Sequence, residues 1–229
     1  MEHQQRKHVS SVVLEEEKKK KVICIEGNIG AGKSTLIFDL KRKIPHAGFI
    51  EENLDEYTTY KQYNPLLEMY QNPIQNASIA QLHFIRSINN ILVKKSRTHN
   101  ILISDRSIYS PQVFGDALFK EGSISSFAKE YLFDEVISSA KNTLKQLNAE
   151  YVGMFFMNTP PTLCLERING RNRNGEELIT ADYLENIEKS YQNLRGWWKN
   201  NICSPIEICD KTNREDICEQ FTRFMHHLL

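Results

Sequence analysis

The chain has 229 residues, enough for one sizeable α/β core, and its hydrophobic content of 40% is ordinary for a protein that lives in water. Lys plus Arg and Asp plus Glu both count 29, so the formal net charge is zero and gives no support for broad attraction to nucleic acid. No apolar run approaches the ~20 residues needed to span a membrane, so neither nucleic acid nor a membrane is expected as a partner.

Residues 1–20 are polar and include Glu15-Glu16-Glu17-Lys18-Lys19-Lys20. They hold no apolar stretch of the secretory type, and their glutamates argue against a transit peptide. A solvated tail is expected over 1–20, ahead of a single domain over 21–229. Cys24, Cys164, Cys203, Cys209 and Cys218 are odd in number and lack zinc-ligand spacing, which fits small buried hydrophobes in a reducing compartment. A cytoplasmic protein is the expectation, with mitochondrial and nuclear placement left open.

Lys21-Val22-Ile23-Cys24-Ile25 predicts a first strand, an apolar run of the kind a buried parallel strand needs. Gly27-Asn28-Ile29-Gly30-Ala31-Gly32-Lys33-Ser34-Thr35 follows, and Leu36, Ile37 and Leu40 continue at helical spacing. A Gly, four residues and then Gly-Lys-Ser, set between strand and helix, is a pattern that binds nucleotide phosphates. The glycines let backbone N–H groups converge on phosphate oxygens, and the helix N-terminus adds positive potential. Lys33 supplies a point charge for the terminal phosphates, and the Ser34 hydroxyl can bind Mg²⁺.

Gly48-Phe49-Ile50 predicts a second strand, ending at Glu51-Glu52. A mostly helical stretch runs from about Leu66 to Lys95. Within it Ala77, Gln81, Phe84, Ile88 and Ile91 share one face, so Gln81 is an amide inside an apolar stripe and needs partners for both its ends. A third strand over Asn100–Ser104 ends at Asp105-Arg106, and helix continues to about Gln146. Tyr151–Met157 is a fourth strand. A helix through Leu163–Ile168, a polar loop over Asn169–Thr180 and a helix from Ala181 to about Trp198 lead to a fifth strand, Pro205–Cys209. The last helix carries Ile217, Phe221, Phe224 and Leu228. This alternation predicts a doubly wound α/β sheet of about five parallel strands flanked by helices, of the P-loop NTPase type.

Ligands of such sheets bind at the C-terminal ends of the strands, which picks out the phosphate loop, Glu51-Glu52 and Asp105-Arg106. Asp105 can face Mg²⁺ beside Ser34, and Arg106 can neutralise charge on a moving phosphoryl group. A carboxylate from Glu51-Glu52 can take the proton of an attacking hydroxyl.

At this point the chain resembles the deoxyribonucleoside kinases. Glu26 to Thr35 is similar to their opening motif. Glu52-Asn53-Leu54 stands where they have Glu-Pro-Val, with Tyr57 where they often have Trp. Leu66-Leu67-Glu68-Met69-Tyr70 with Pro73 resembles their Leu-x-x-x-Tyr-x-x-Pro segment, and Gln81 falls at the matching distance. Asp105-Arg106-Ser107 resembles their Glu/Asp-Arg-Ser motif, and Glu166-Arg167-Ile168 with Arg171-Asn172-Arg173 their arginine-rich lid, here near 167–180. The resemblance implies ATP as phosphate donor with Mg²⁺, a deoxynucleoside acceptor and a place in nucleotide salvage. It implies Glu52 as base for the 5′-hydroxyl, Arg106 on that hydroxyl and the transferred phosphate, and Lys33 with Gly27 to Thr35 on the nucleotide. Arg167, Arg171 and Arg173 would close on the ATP phosphates. Tyr70 and a lid glutamate would bind the sugar 3′-hydroxyl; by count from Arg173 this is Glu176, with Glu177 the alternative. Gln81 would pair with the base, in a pocket shared with Tyr57, Phe84, Ile88 and Pro111.

The chain also departs from the family pattern. Asn53 replaces a proline. The place of the base-stacking phenylalanine is Gly115, with Phe114 one residue earlier. Ile88 and Pro111 stand where deoxycytidine-preferring relatives carry Arg and Asp, so thymidine and deoxycytidine are expected substrates, with other deoxynucleosides open. A homodimer is expected, because residues such as Leu82, Ile85, Leu92, Leu132, Val136 and Leu144 put apolar groups on more than one face of two long helices. Two alternatives remain at this level: a nucleoside monophosphate kinase such as thymidylate kinase, and a regulatory NTP-binding module. The first wants a basic residue near Phe49–Asn53, and guanine-switch proteins of the second kind usually carry Asn-Lys-x-Asp; the chain has neither.

Overall fold

The computed structural model describes residues 18–51, 58–173, 175–209 and 213–228, with the side chains of Cys209 and Leu228 outside that description. Most of the expected tail, Glu52, Asn53, Leu54 and Tyr57 also lie outside the described residues.

Five parallel strands form one sheet in the order β2-β3-β1-β4-β5. They are β1 (Lys20–Gly27), β2 (Gly48–Ile50), β3 (Ile101–Asp105), β4 (Ala149–Asn158) and β5 (Ile206–Cys209). Val22, Ile23, Cys24 and Ile25 of β1 are fully buried, as expected for a central strand covered on both faces. The helices are α1 (Lys33–Lys43), α2 (Pro65–Gln71), α3 (Pro73–Lys95), α4 (Ser110–Lys120), α5 (Ser126–Leu147), α6 (Pro161–Arg171), α7 (Ala181–Asn201) and α8 (Arg214–Leu228), with a 3₁₀ turn at Glu176–Leu178. Helix α1 packs with α8, whereas α3, α4, α5 and α7 pack among themselves. The strand order explains this split. The β1-to-β2 crossover and the β3-to-β4 crossover run in opposite directions along the sheet, and right-handed connections then place their helices on opposite faces. The reversal opens a crevice beyond the C-terminal end of β1, where the phosphate loop begins.

The structure divides two of the predicted helical stretches. The first breaks at Asn72 (φ −143°), because Pro73 disfavours a helical residue before it and instead opens α3. The second breaks after α4, where Gly122 turns in the left-handed region (φ 74°) and Ser125 caps α5 by accepting from the Ala128 N–H at 3.2 Å. Strand β1 also claims Lys20 from the expected tail. Helix α6 runs on to Arg171, past the predicted end at Ile168, and is closed by Asn172 in the left-handed conformation (φ 47°).

Of the six residues named for a second apolar face, Leu82 alone is exposed. Ile85, Leu92, Leu132 and Val136 are core, and Leu144 packs against it, because α3 and α5 each meet neighbouring helices along those rows. The exposed apolar residues of these helices are instead Ile74, Ile79 and Leu82 on α3 and Phe127, Tyr131 and Ile137 on α5.

Asp116 ties α4, α5 and α7 together from a buried position. Its carboxylate receives Lys120 Nζ at 2.8 Å, Lys129 Nζ at 2.6 Å and Ser190 Oγ at 2.8 Å. Burial alone would push its pKa up, but the hydrogen bonds from Lys120, Lys129 and Ser190 outweigh it and bring the pKa down to about 2. The folded pKa thus lies below that of an unfolded aspartate. The resulting stabilisation is complete above the unfolded value and is lost as pH falls through about 2. Asp116→Asn is therefore expected to lower unfolding stability at pH 7 by ~2 kcal/mol. In denaturant titrations followed by circular dichroism, that gap should narrow steadily between pH 5 and pH 2.

Candidate active site

The phosphate loop fits against its neighbours too closely for side chains at two positions. A Cβ on Gly27 (φ 144°) would lie 2.8 Å from the Met157 carbonyl oxygen, and one on Gly30 (φ 79°) 2.6 Å from that of Cys164. Asn28 is buried and pins the loop, donating from Nδ2 to the Leu184 carbonyl at 2.8 Å while its Oδ1 accepts from the Ile29 N–H at 2.9 Å. Thr159 Oγ1 donates to the Ala31 carbonyl at 3.1 Å. The loop is therefore held by β4, α6 and α7 rather than by its own turn chemistry. Helix α1 starts at Lys33, leaving the loop at its N-terminus, where free N–H groups and the helix dipole favour an anion. Lys33 curls back, and its Nζ donates to the Gly27 and Asn28 carbonyls at 3.1 and 2.8 Å.

At the end of β3, the Asp105 carboxylate accepts from Ser34 Oγ at 3.1 Å. A hydroxyl and a carboxylate side by side fit Mg²⁺, which takes oxygen ligands, needs few of them from protein and keeps water or phosphate for the rest. Arg106 follows with φ 70°. Its N–H donates to the Ile25 carbonyl at 3.0 Å, and its Nη1 donates to the Gly27 carbonyl at 2.9 Å and to the Tyr191 hydroxyl.

A cavity of about 420 Å³ joins these pieces. The loop residues Ile29, Gly30, Gly32, Lys33, Ser34 and Thr35 and Arg106 form one end. Helix α2 contributes Leu66, Met69 and Tyr70, α3 contributes Gln81, Phe84 and Ile88, and α4 contributes Ser110, Pro111 and Phe114. Arg167 and Arg171 come from α6, Arg173 and Glu176 from the turn after it, and Tyr183 from α7. Gln81 is 1% exposed; its Nε2 donates to Met69 Sδ at 3.5 Å, and its Oε1 has no hydrogen-bond partner among the described residues. The Tyr183 hydroxyl is likewise buried without a partner, and burial raises its pKa well above the usual phenol value. Two unsatisfied polar atoms in a mostly apolar cavity are the pattern left for a ligand to complete.

The lid arginines are held by the chain itself. Arg167 Nη1 donates to the Gly30 and Ala31 carbonyls at 3.3 and 3.2 Å. Arg171 grips Glu176 with two nitrogens, Nε reaching Oε2 at 2.6 Å, and Arg173 stands 3.9 Å from the same carboxylate. Glu176 faces the cavity, whereas Glu177 is exposed and does not line it.

Of the candidates from sequence, the structure brings together the phosphate loop, Ser34, Asp105, Arg106, Tyr70, Gln81, Phe84, Ile88, Pro111, the three lid arginines and Glu176. Glu52 and Tyr57 lie outside the described residues. Glu51 is exposed, pairs with Lys41 and does not line this cavity. Phe114, not Gly115, reaches the cavity. Helix α4 begins at Ser110, so positions 110, 111 and 114 share its inner side, while Gly115 turns toward Leu132. The Arg106 guanidinium carbon lies 4.8 Å from the centre of the Phe114 ring. Sequence reasoning gave no role to Glu26, Tyr183 or Tyr191. The two tyrosines share a stripe with Ile187, Leu194 and Trp198 that reads as plain core, and only their hydroxyls hinted at more.

A model of the deoxynucleoside kinase family matches residues 23–227. The deoxyguanosine kinase of Dictyostelium discoideum is 30% identical over 202 residues, covering 86% of this chain and 66% of that protein. Deoxycytidine kinase 2 of Gallus gallus is 29% identical over 192 residues, covering 74% of this chain and 72% of its own. The thymidine kinase of Ictalurid herpesvirus 1 is 28% identical over 202 residues, covering 87% and 83%. Among solved structures, the deoxyadenosine kinase of M. mycoides with bound dCTP superposes with a TM-score of 0.72 at 17% identity, over 90% of this chain and 99% of that one.

If Ser34 and Asp105 together hold Mg²⁺, Asp105→Asn should raise the Mg²⁺ concentration for half-maximal turnover by on the order of 10–100-fold. An unchanged Mg²⁺ titration would reduce Asp105 to an acceptor for the Ser34 hydroxyl.

Proposed function

The chain belongs to the deoxynucleoside kinase family, a family of phosphotransferases, and from that premise we propose that it transfers the γ-phosphoryl group of ATP to the 5′-hydroxyl of deoxyribonucleosides in nucleotide salvage, with thymidine and deoxycytidine as main substrates. The support is chemical: Gln81 offers an unpaired amide oxygen to an apolar cavity that is continuous with the phosphate loop and four arginines. A nucleoside base supplies the missing donor, and the loop and arginines suit a triphosphate.

In this reading the base lies among Gln81, Phe84, Ile88, Pro111 and Phe114, and Tyr57 is a further candidate for base contact from the sequence resemblance. Tyr70 and Glu176 take the sugar 3′-hydroxyl. Glu52 accepts the 5′-hydroxyl proton as that oxygen attacks, and Arg106 steadies the oxygen and the phosphoryl group. Lys33 and the loop N–H groups bind the donor phosphates, and Arg167, Arg171 and Arg173 close over them. Mg²⁺ held by Ser34 and Asp105 would neutralise phosphate charge.

A monophosphate kinase is less well supported. The described part of the β2 edge carries no cation for an acceptor phosphate, since Lys41 is paired with Glu51, and the matching family model is one of nucleoside kinases. The relatives named for guanine, cytosine and thymine nucleosides are 30, 29 and 28% identical, so similarity gives no ranking of bases. Ile88 and Pro111 favour acceptance of both pyrimidines, since neither offers a side-chain hydrogen bond, so cytosine gains no charged partner and thymine loses none. With ATP and a panel of deoxynucleosides and thymidylate, phosphorylation of thymidine and deoxycytidine is expected, with 2′-deoxy sugars preferred. Good use of a purine deoxynucleoside without detectable use of thymidine would overturn the substrate assignment, and use of thymidylate alone the acceptor class.

A homodimer through α3 and α5 is part of the same proposal. These helices pack together, and Ile79 (69% exposed), Phe127 (75%) and Tyr131 (54%) stand in solvent on their outer sides. Light scattering at micromolar concentration should give the mass of two chains, and Ile79→Glu with Phe127→Glu should give the mass of one.

A further inference from the structure

On the premise of the kinase reading above, we infer that Tyr191 and Glu26 are positioning residues for Arg106, a carboxylate and a phenol that together set the direction of its guanidinium. Arg106 needs such support. Its φ of 70° lies in the left-handed region, which non-glycine residues adopt only where the surroundings over-determine it. Four buried hydrogen bonds support it, one made by its own guanidinium and three by Glu26 behind it. The Tyr191 hydroxyl accepts from Arg106 Nη1 and donates to Glu26 Oε2 at 3.0 Å. The other carboxylate oxygen, Oε1, accepts from the Ser107 N–H at 2.8 Å and from Ser110 Oγ at 2.6 Å. Glu26 therefore clamps the backbone directly after Arg106 and, through Tyr191, the guanidinium itself.

The polarity of this chain of bonds is fixed. A phenol has one proton, and the carboxylate takes it, which leaves a lone pair turned to Arg106. Burial raises the Tyr191 pKa well above the usual phenol value, so the proton stays in place at working pH. Glu26 and Tyr191 are both 0% exposed, and neither lines the cavity, whereas Arg106 does. The effect of the Tyr191 hydroxyl on a substrate must therefore pass through Arg106, whereas Glu26 also holds Ser110, which lines the cavity.

Tyr191→Phe removes the hydroxyl and keeps the ring. It is expected to lower kcat for the best deoxynucleoside by on the order of 10–100-fold, with the nucleoside KM changed by less than about threefold and the melting temperature well above that of the assay. In an Arg106→Lys background the same change should cost less than about twofold, because the group it orients is gone. If Tyr191→Phe does not accumulate as folded protein, Glu26→Gln carries the same expectations. Its amide would point a donor at Tyr191, leaving the phenol proton unpaired. Wild-type turnover with unaltered kcat in the folded variant, or an equal loss in both backgrounds, overturns this inference alone. Absence of turnover with every deoxynucleoside in the wild type overturns the kinase reading and the inference with it.

Discussion

The walls of the cavity meet where they do because a carboxylate sealed from solvent ends β1. An isolated carboxylate in such a place is costly, so Glu26 has to find donors, and it finds them in three separate parts of the chain: the turn after β3, the start of α4 and the middle of α7. The turn, α4 and α7 each carry a cavity-lining residue, namely Arg106, Ser110 and, at the start of α7, Tyr183. The requirement to satisfy one charge thereby fixes the spacing of three walls. Arg106 reaches Glu26 through the Tyr191 hydroxyl rather than by a direct hydrogen bond. A direct buried pair would commit the guanidinium to the carboxylate; the bridged arrangement keeps Arg106 at the cavity surface while its charge is still compensated.

The same economy appears among the other cations. Lys33 and Arg167 rest on main-chain carbonyls of the loop they serve. Neutral carbonyls are weaker acceptors than phosphate oxygens, so an incoming phosphate can replace them at little cost. Arg171 differs, because its partner Glu176 is itself charged and nearly enclosed. Drawing Arg171 toward a phosphate leaves that carboxylate facing the cavity beside Tyr70, where a sugar hydroxyl can satisfy it. On the proposed reading these two exchanges are linked through the Arg171–Glu176 pair.

The strands and the phosphate loop were legible because their signals are local. An apolar run, three glycines and a Lys-Ser at fixed spacing need no distant partner to be read. Three things were not legible, each for a physical reason. The break at Asn72 depends on a single proline whose effect is either to kink a helix or to start one, and periodicity on both sides looks the same. The choice between Phe114 and Gly115 rests on where α4 begins, since a shift of one residue turns a helical side chain by about 100°. Glu26 and Tyr191 are 165 residues apart, and a tyrosine in an apolar stripe does not reveal which carboxylate its hydroxyl will meet.

Under the proposed kinase reading, how a base would be read follows from what Gln81 has already spent. One Nε2 hydrogen goes to Met69 Sδ, a weak acceptor that can still hold the amide in one of its two orientations. A second N–H and the bare carbonyl remain, side by side, to meet a donor and an acceptor on the base. Thymine, cytosine, adenine and guanine each present such a pair on the edge used in base pairing, so the amide by itself recognises a nucleobase without naming it. Selection then falls to the surrounding walls. Phe84, Ile88, Pro111 and Phe114 give apolar contact and no charge, which suits a methyl-bearing pyrimidine and withholds the extra hydrogen bonds that would favour one base strongly. On that proposal such a cavity discriminates by the lack of any penalty rather than by a dedicated partner, and the expected result is a tolerant enzyme.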